Sequence, residues 1–138
     1  ISLCNFAGRP LQGYLADVFG FKKVLMAMAT AQSIFLFTLT SVAHSKGLFT
    51  FWCCAIAFLY GGNFALYPTA TMAQFGRSHA GTNYGVVYTA YGIAGVVGAL
   101  LEGDILQLLH HSFQHLTFVM GGICAFGAVL TLFIKRVR

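Results

Sequence analysis

The chain has 138 residues, of which 58% are hydrophobic and only 8% are Asp, Glu, Lys or Arg, and its mean hydropathy is +0.78. A soluble domain carries about 25% charged residues, so this composition excludes an ordinary water-facing surface and points to a chain embedded in lipid. The formal charge of +5 excludes no partner by itself, but no basic stripe with interleaved aromatics lies outside the apolar runs, which argues against nucleic acid.

In chain order, residues 1–7 read as the end of a preceding span. They are hydrophobic, with neither an initiator Met nor the charged leader of a signal peptide. Residues 1–138 are therefore expected to be a partial C-terminal transmembrane domain whose partners include further N-terminal helices of the same protein. A loop is expected over 8–23. Four apolar runs follow at about 24–42, 49–73, 81–108 and 116–134, each close to the roughly 20 residues that cross a bilayer as a helix. Helices are required because lipid offers the backbone no hydrogen-bond partners, and the runs lack the polar alternation of a barrel strand. The fold class is all-α, with polytopic transmembrane helices. If the first loop is cytoplasmic, Arg9, Lys22, Lys23, Arg77, Lys135, Arg136 and Arg138 lie inside and Lys46 outside, as the positive-inside rule asks. A multi-pass protein with a cytoplasmic C-terminus follows, expected in the plasma membrane before an organelle.

The first motif is Gly13-Tyr14-Leu15-Ala16-Asp17-Val18-Phe19-Gly20-Phe21-Lys22-Lys23. Gly13 lets two helices approach closely, Asp17 can accept from the backbone donors of a helix start, Gly20 permits a tight turn, and Lys22 and Lys23 anchor at an anionic membrane face. The segment resembles the loop signature of the major facilitator superfamily, which implies a gating role for Gly13, Asp17, Gly20, Lys22 and Lys23. Val18 and Phe21 stand where that signature usually has basic residues, as is common in its second copy. That places this loop before the last four spans of a twelve-helix facilitator.

The second motif runs Gly61-Gly62-Asn63-Phe64-Ala65-Leu66-Tyr67-Pro68, then Phe75-Gly76, then 83–92 with Asn83, Tyr84, Tyr88 and Tyr91. It is similar to the same region of the oxalate/formate exchanger family, a neighbour of the monocarboxylate transporters. The resemblance implies secondary transport of a small organic anion by alternating access. The exchangers carry a Lys in the penultimate helix near the position of Tyr91; this span has neither Lys nor Arg, which favours a monocarboxylate over oxalate.

Helical periodicity agrees with a solute path. At about 100° per residue, Tyr60, Asn63, Tyr67, Thr71 and Gln74 share one face of the second span. Tyr84, Tyr88, Tyr91, Gly95, Gly98 and Glu102 share one face of the third. Polar stripes on lipid-embedded helices must look at protein or water. Tyr60, Asn63, Tyr67, Tyr84, Tyr88 and Tyr91 are therefore the expected substrate-binding residues, and the alternative for both stripes is helix packing. Pro68 and the Gly61-Gly62 pair mark a point where the second span could kink. Glu102 is a candidate for proton coupling, and Asp104 a weaker one, because ionisable groups at membrane depth are functional candidates. His110, His111 and His115 crowd one short loop without a supporting shell for a metal. Cys4, Cys53, Cys54 and Cys124 match neither a disulfide framework nor a zinc pattern. No phosphate loop, no nucleophile with its base and no paired carboxylates appear, so no enzyme activity, metal or cofactor is expected. The rival readings are a small four-span carrier and a membrane subunit that only packs against partners.

Overall fold

A computed structural model of the chain describes residues 1–108 and 113–133, with the side chains of residues 1–100 and 113–133. Among these, all regular structure is helical: α1 (Ser2–Phe19), α2 (Phe21–Thr38), α3 (Lys46–Phe75), α4 (Ala80–Leu108) and α5 (Phe113–Leu132). Helices α3 and α5 are long and apolar enough to cross a bilayer on composition alone. Large apolar side chains such as Leu3, Phe6, Val96 and Phe126 are exposed along the flanks, as a surface facing lipid tolerates.

The first helix differs from its expected bounds. The preceding span does not stop near residue 7, and 8–23 is not a loop, because α1 continues through Gly8, Arg9 and Pro10 to Phe19. The turn to α2 is Gly20 alone, at φ +88°, a left-handed backbone that glycine adopts without a Cβ clash. Gly76, at φ +80°, ends α3 in the same way. Lys22, Lys23 and Arg77 consequently lie at one end of the bundle, and Lys46 begins α3 at the other.

Helix α1 packs chiefly on α3, α2 on α5, and α4 on α3. The α1–α3 seam brings Gly8 against Phe58 and Gln12 against Phe58 and Gly62, and sets Ala16 and Leu66 in one core cluster. A Cβ at Gly8 would overlap the Phe58 carbonyl oxygen, one at Gly61 the Asn5 carbonyl oxygen, and one at Gly62 the Gln12 side chain. With no hydrophobic drive between helices in lipid, close approach of small residues and interhelical hydrogen bonds hold such a seam. Here Gln12 Nε2 donates to Phe58 O at 2.8 Å and Asn5 Nδ2 to Ala57 O at 3.2 Å. Leu66 is fully buried beside Ala16, Val24 and Met28. Gly61 and Gly62 are therefore packing contacts of α3 with α1.

The α2–α5 seam is fastened by Ser33 Oγ, which donates to Gly121 O at 2.9 Å, and by Phe37 packed on Gly121 and on the Phe118 ring. At the Gly20 end, Lys22 Nζ donates to Leu132 O at 2.6 Å, satisfying a carbonyl in the last turn of α5, where cations are favoured. Trp52 Nε1 donates to Thr38 Oγ1 at 2.9 Å and ties α3 to the end of α2.

Candidate functional site

Between α3 and α4 lies a cavity of about 350 Å³ lined by Asn63, Phe64, Tyr67, Tyr84, Val87, Tyr88, Ala90, Tyr91 and Ala94. Five of the six residues expected to bind substrate are on its wall. They meet because i, i+3 and i+4 positions of a helix share a face: Asn63 and Tyr67 on α3, Tyr84, Tyr88 and Tyr91 on α4. The Tyr88 and Tyr91 rings stack with centroids 5.3 Å apart, Tyr84 lies 5.3 Å from Tyr88, and Phe64 meets Tyr91 edge-on at 5.8 Å. The wall thus presents aromatic faces, an amide and phenolic hydroxyls, groups that hydrogen-bond a small polar solute and exclude bulk water around it.

Tyr60, the sixth residue, is at the edge of this cavity and not among its lining. Its hydroxyl is hydrogen-bonded to that of Tyr91, and its ring meets Phe64 edge-on at 5.5 Å. On its other side Tyr60 lines a groove of about 670 Å³ together with Asn5, Arg9, Gln32, Cys53 and Ala57. Thr71, expected on the same stripe, is instead buried, and its hydroxyl donates to Tyr67 O within α3 at 2.8 Å. Gly95 and Gly98 have no atom within 4 Å of where a Cβ would stand, so they receive no neighbour among the described residues.

Arg9 is the side chain that sequence reasoning misplaced. Counted among loop cations, it stands inside α1, about 16 Å along the helix from Gly20 at 1.5 Å per residue. Its guanidinium lies 5.1 Å from the centroid of the Phe64 ring and donates to Asn5 Oδ1 at 3.4 Å. Phe64 carries the cation and also meets the Tyr60 and Tyr91 rings edge-on. A permanently charged arginine is therefore joined to the tyrosine wall through one ring.

The motif residues at the Gly20 end separate. The close-approach glycine of α1 is Gly8; a Cβ at Gly13 would make an ordinary contact with Ala65 Cβ at 3.7 Å. Asp17 does not cap α2, whose start has no side-chain cap. It is exposed in the last turn of α1, the end of a helix that disfavours a carboxylate, and has no hydrogen bond or ion pair among the described residues. The side chains of Glu102 and Asp104, along with His110, His111, Lys135, Arg136 and Arg138, lie outside the described residues. Among the described residues no cluster of three potential metal ligands forms.

Self-satisfied helices, seams of small residues, apolar flanks and a polar aromatic cavity between two of the helices define a polytopic helical membrane protein. The chain belongs to the Major Facilitator Superfamily, whose sequence pattern matches residues 1–138. It is 38% identical over 92 residues to apicoplast pyruvate carrier 1 of Toxoplasma gondii, covering 63% of this chain and 16% of that protein. It is 28% identical over 105 residues to the oxalate:formate antiporter of Oxalobacter formigenes, covering 75% of this chain and 25% of that protein. To the MFS-type transporter pynF of Aspergillus niger it is 27% identical over 138 residues, covering 96% of this chain and 31% of that protein. The chain spans between 16% and 31% of the length of the curated relatives it matches. No solved structure matches it.

Proposed function

We propose that the protein carrying this chain moves a small organic anion of the monocarboxylate class across a membrane by alternating access, with Asn63, Tyr67, Tyr84, Tyr88 and Tyr91 forming part of its binding site and Arg9 the cationic partner. The observation that carries this reading is the placement of the Arg9 guanidinium over Phe64, a ring that lines the tyrosine cavity. An anion leaving water needs a fixed positive charge and oriented donors to offset its desolvation. Arg9 supplies the first, the Asn63 amide and the tyrosine hydroxyls the second. Tyr60, bonded to Tyr91, stands between the groove that holds Arg9 and the cavity, so rotation of its ring would join the two. Pyruvate, oxalate and formate, named for two relatives, are small carboxylates, which supports the same class.

Asp17 belongs to this reading as a gate. Its carboxylate, unfavourably placed at the end of α1, is available to a donor from another part of the protein, and such a contact would be made in one state of the cycle only.

The test is uptake of radiolabelled pyruvate and lactate by proteoliposomes holding the full-length protein, with Arg9→Gln and Tyr91→Phe variants. Saturable uptake is expected, abolished by Arg9→Gln and weakened by Tyr91→Phe. Transport of neutral or cationic solutes alone, or full activity of Arg9→Gln, would overturn the assignment.

A further inference from the structure

A cleft of about 460 Å³ runs from the Gly20 end of the bundle between α1, α2 and α3, and it shares no lining residue with the groove of Arg9 or with the tyrosine cavity. Its walls are apolar, with Phe19 from α1, Ala27 and Ala31 from α2 and Leu59 from α3. The only two polar residues of the lining are Gln12 and Lys23. Gln12 is buried and uncharged, its amide nitrogen bonded to Phe58 O. Lys23 is exposed near the Gly20 turn and has no hydrogen bond or ion pair among the described residues. Its neighbour Lys22 is engaged with Leu132 O, and Asp17 is not part of the lining, so Lys23 is the one charge of the cleft. Phe19 and Ala27 are exposed as well, which leaves the cleft open along the flank of the bundle.

From Lys23 to Ala31 the cleft follows α2 for about 12 Å at 1.5 Å per residue. One leaflet of a hydrocarbon core of roughly 30 Å is about 15 Å deep. A cation at the mouth and an apolar channel nearly one leaflet deep match the two parts of a phospholipid, a phosphate at the interface and a chain that reaches inward. Because charge stands at one end only, the orientation is fixed. An apolar cleft does not hold water well, and left unfilled its walls would forfeit their dispersion contacts.

We propose that this cleft binds an anionic phospholipid of the leaflet on the Gly20 side, its phosphate paired with Lys23 and one acyl chain laid along Phe19, Ala27, Ala31 and Leu59. A lysine near the membrane surface attracts anionic headgroups; a zwitterionic headgroup brings its own ammonium, which offsets that attraction. The bound lipid would touch α1, α2 and α3 together, and would tie the two helices joined at Gly20 to the helix that carries Tyr60 and Asn63.

The experiment uses the full-length protein in phosphatidylcholine nanodiscs doped with one of two photoactivatable lipids of identical chains, a phosphatidylglycerol or a phosphatidylcholine, each with a diazirine on one chain. After illumination, mass spectrometry is expected to find phosphatidylglycerol attached within residues 15–31 about five-fold more than phosphatidylcholine, the factor that one lysine at an anionic surface supplies. Lys23→Gln should abolish that preference without touching the apolar walls, so it tests the proposal even where a bulkier variant does not fold. Ala27→Phe, in protein whose elution profile shows it folded, should place a ring in the open cleft and suppress labelling there by both lipids. Lys46→Gln, at the other end of the bundle, should change neither. Equal labelling by the two lipids, an undiminished preference in Lys23→Gln, or full labelling in folded Ala27→Phe protein would overturn the proposal.

Discussion

Gly8→Ala and Gly13→Ala add the same methyl group to the same helix, and the structure assigns them opposite signs. At Gly8 the methyl would overlap the Phe58 carbonyl oxygen and lie 3.0 Å from Phe58 C and 3.3 Å from its Cα. The obstacle is backbone, so the helices must part. A gap of about 0.5 to 1 Å already forfeits a quarter to a half of each dispersion contact across the seam. It also stretches the Asn5 to Ala57 bond, now 3.2 Å, beyond hydrogen-bonding range, and interhelical bonds in membranes are worth about 0.6 kcal/mol each. Overpacking itself costs about 1 to 3 kcal/mol, against roughly 1 kcal/mol returned by the better helix propensity of Ala. The net expectation for Gly8→Ala is a loss of about 1 to 3 kcal/mol. At Gly13 the new methyl would stand 3.7 Å from Ala65 Cβ, an ordinary contact, so the propensity term prevails and stability should rise by roughly 0.5 to 1 kcal/mol. Thermal unfolding of the full-length protein in detergent should show the two melting temperatures moving in opposite directions. Equal shifts, or a larger loss at Gly13, would refute the claim that the α1–α3 approach is set at Gly8.

Four further outcomes are expected. Tyr88→Ala or Asn63→Ala should weaken substrate binding at least 10-fold, while Ile93→Ala and Val97→Ala on the exposed side of α4 leave it near normal; equilibrium binding of labelled pyruvate decides, and equal effects would mark the tyrosines as packing groups. Ser33→Ala removes the bond to Gly121 O and should destabilise by about 1 kcal/mol, seen as a lower melting temperature with unchanged substrate affinity. Lys22→Met should release the end of α5, measured as faster amide exchange confined to its last turn, with a global stability change below about 1 kcal/mol. Asp17→Asn should slow cycling and raise labelling of a cysteine placed in the half of the cavity nearest Gly20, with affinity unchanged; unaltered labelling and wild-type transport would leave Asp17 as a solvated acid.

Much of this architecture was legible in the sequence because lipid removes alternatives: an apolar run of about 20 residues has to be a helix, and period 3.6 then fixes which side chains share a face. That logic sets Asn63 and Tyr67 on one helical face and Tyr84, Tyr88 and Tyr91 on another, and the five line one cavity. It failed at Gly8-Arg9-Pro10. Glycine, a charge and a proline together read as a helix end, yet α1 passes through all three: Gly8 is needed small by Phe58, Arg9 rests on Phe64, and Pro10 forgoes one backbone bond inside the helix. The first two reasons are tertiary contacts with α3, fifty residues or more away in the chain, and no local pattern encodes them. The buried Gln12, whose Oε1 has no partner, was invisible for the same cause. Thr71 shows the converse, because a shared helical face does not say which neighbour covers each of its ends.

The single-residue turn at Gly20 leaves no slack between α1 and α2. A longer loop would absorb a small axial slide or tilt of α1; one glycine acts as a pin joint and hands the displacement to α2. Lys22 sits two positions beyond that joint and grips the last turn of α5, while Ser33 holds the same pair of helices further along. A movement that begins beside Arg9 would therefore arrive, through one joint and one clasp, at the far end of the chain's last helix. A fluorophore at exposed Phe133, about 110 residues downstream of Lys22, would report on an event at the proposed solute site that it never touches.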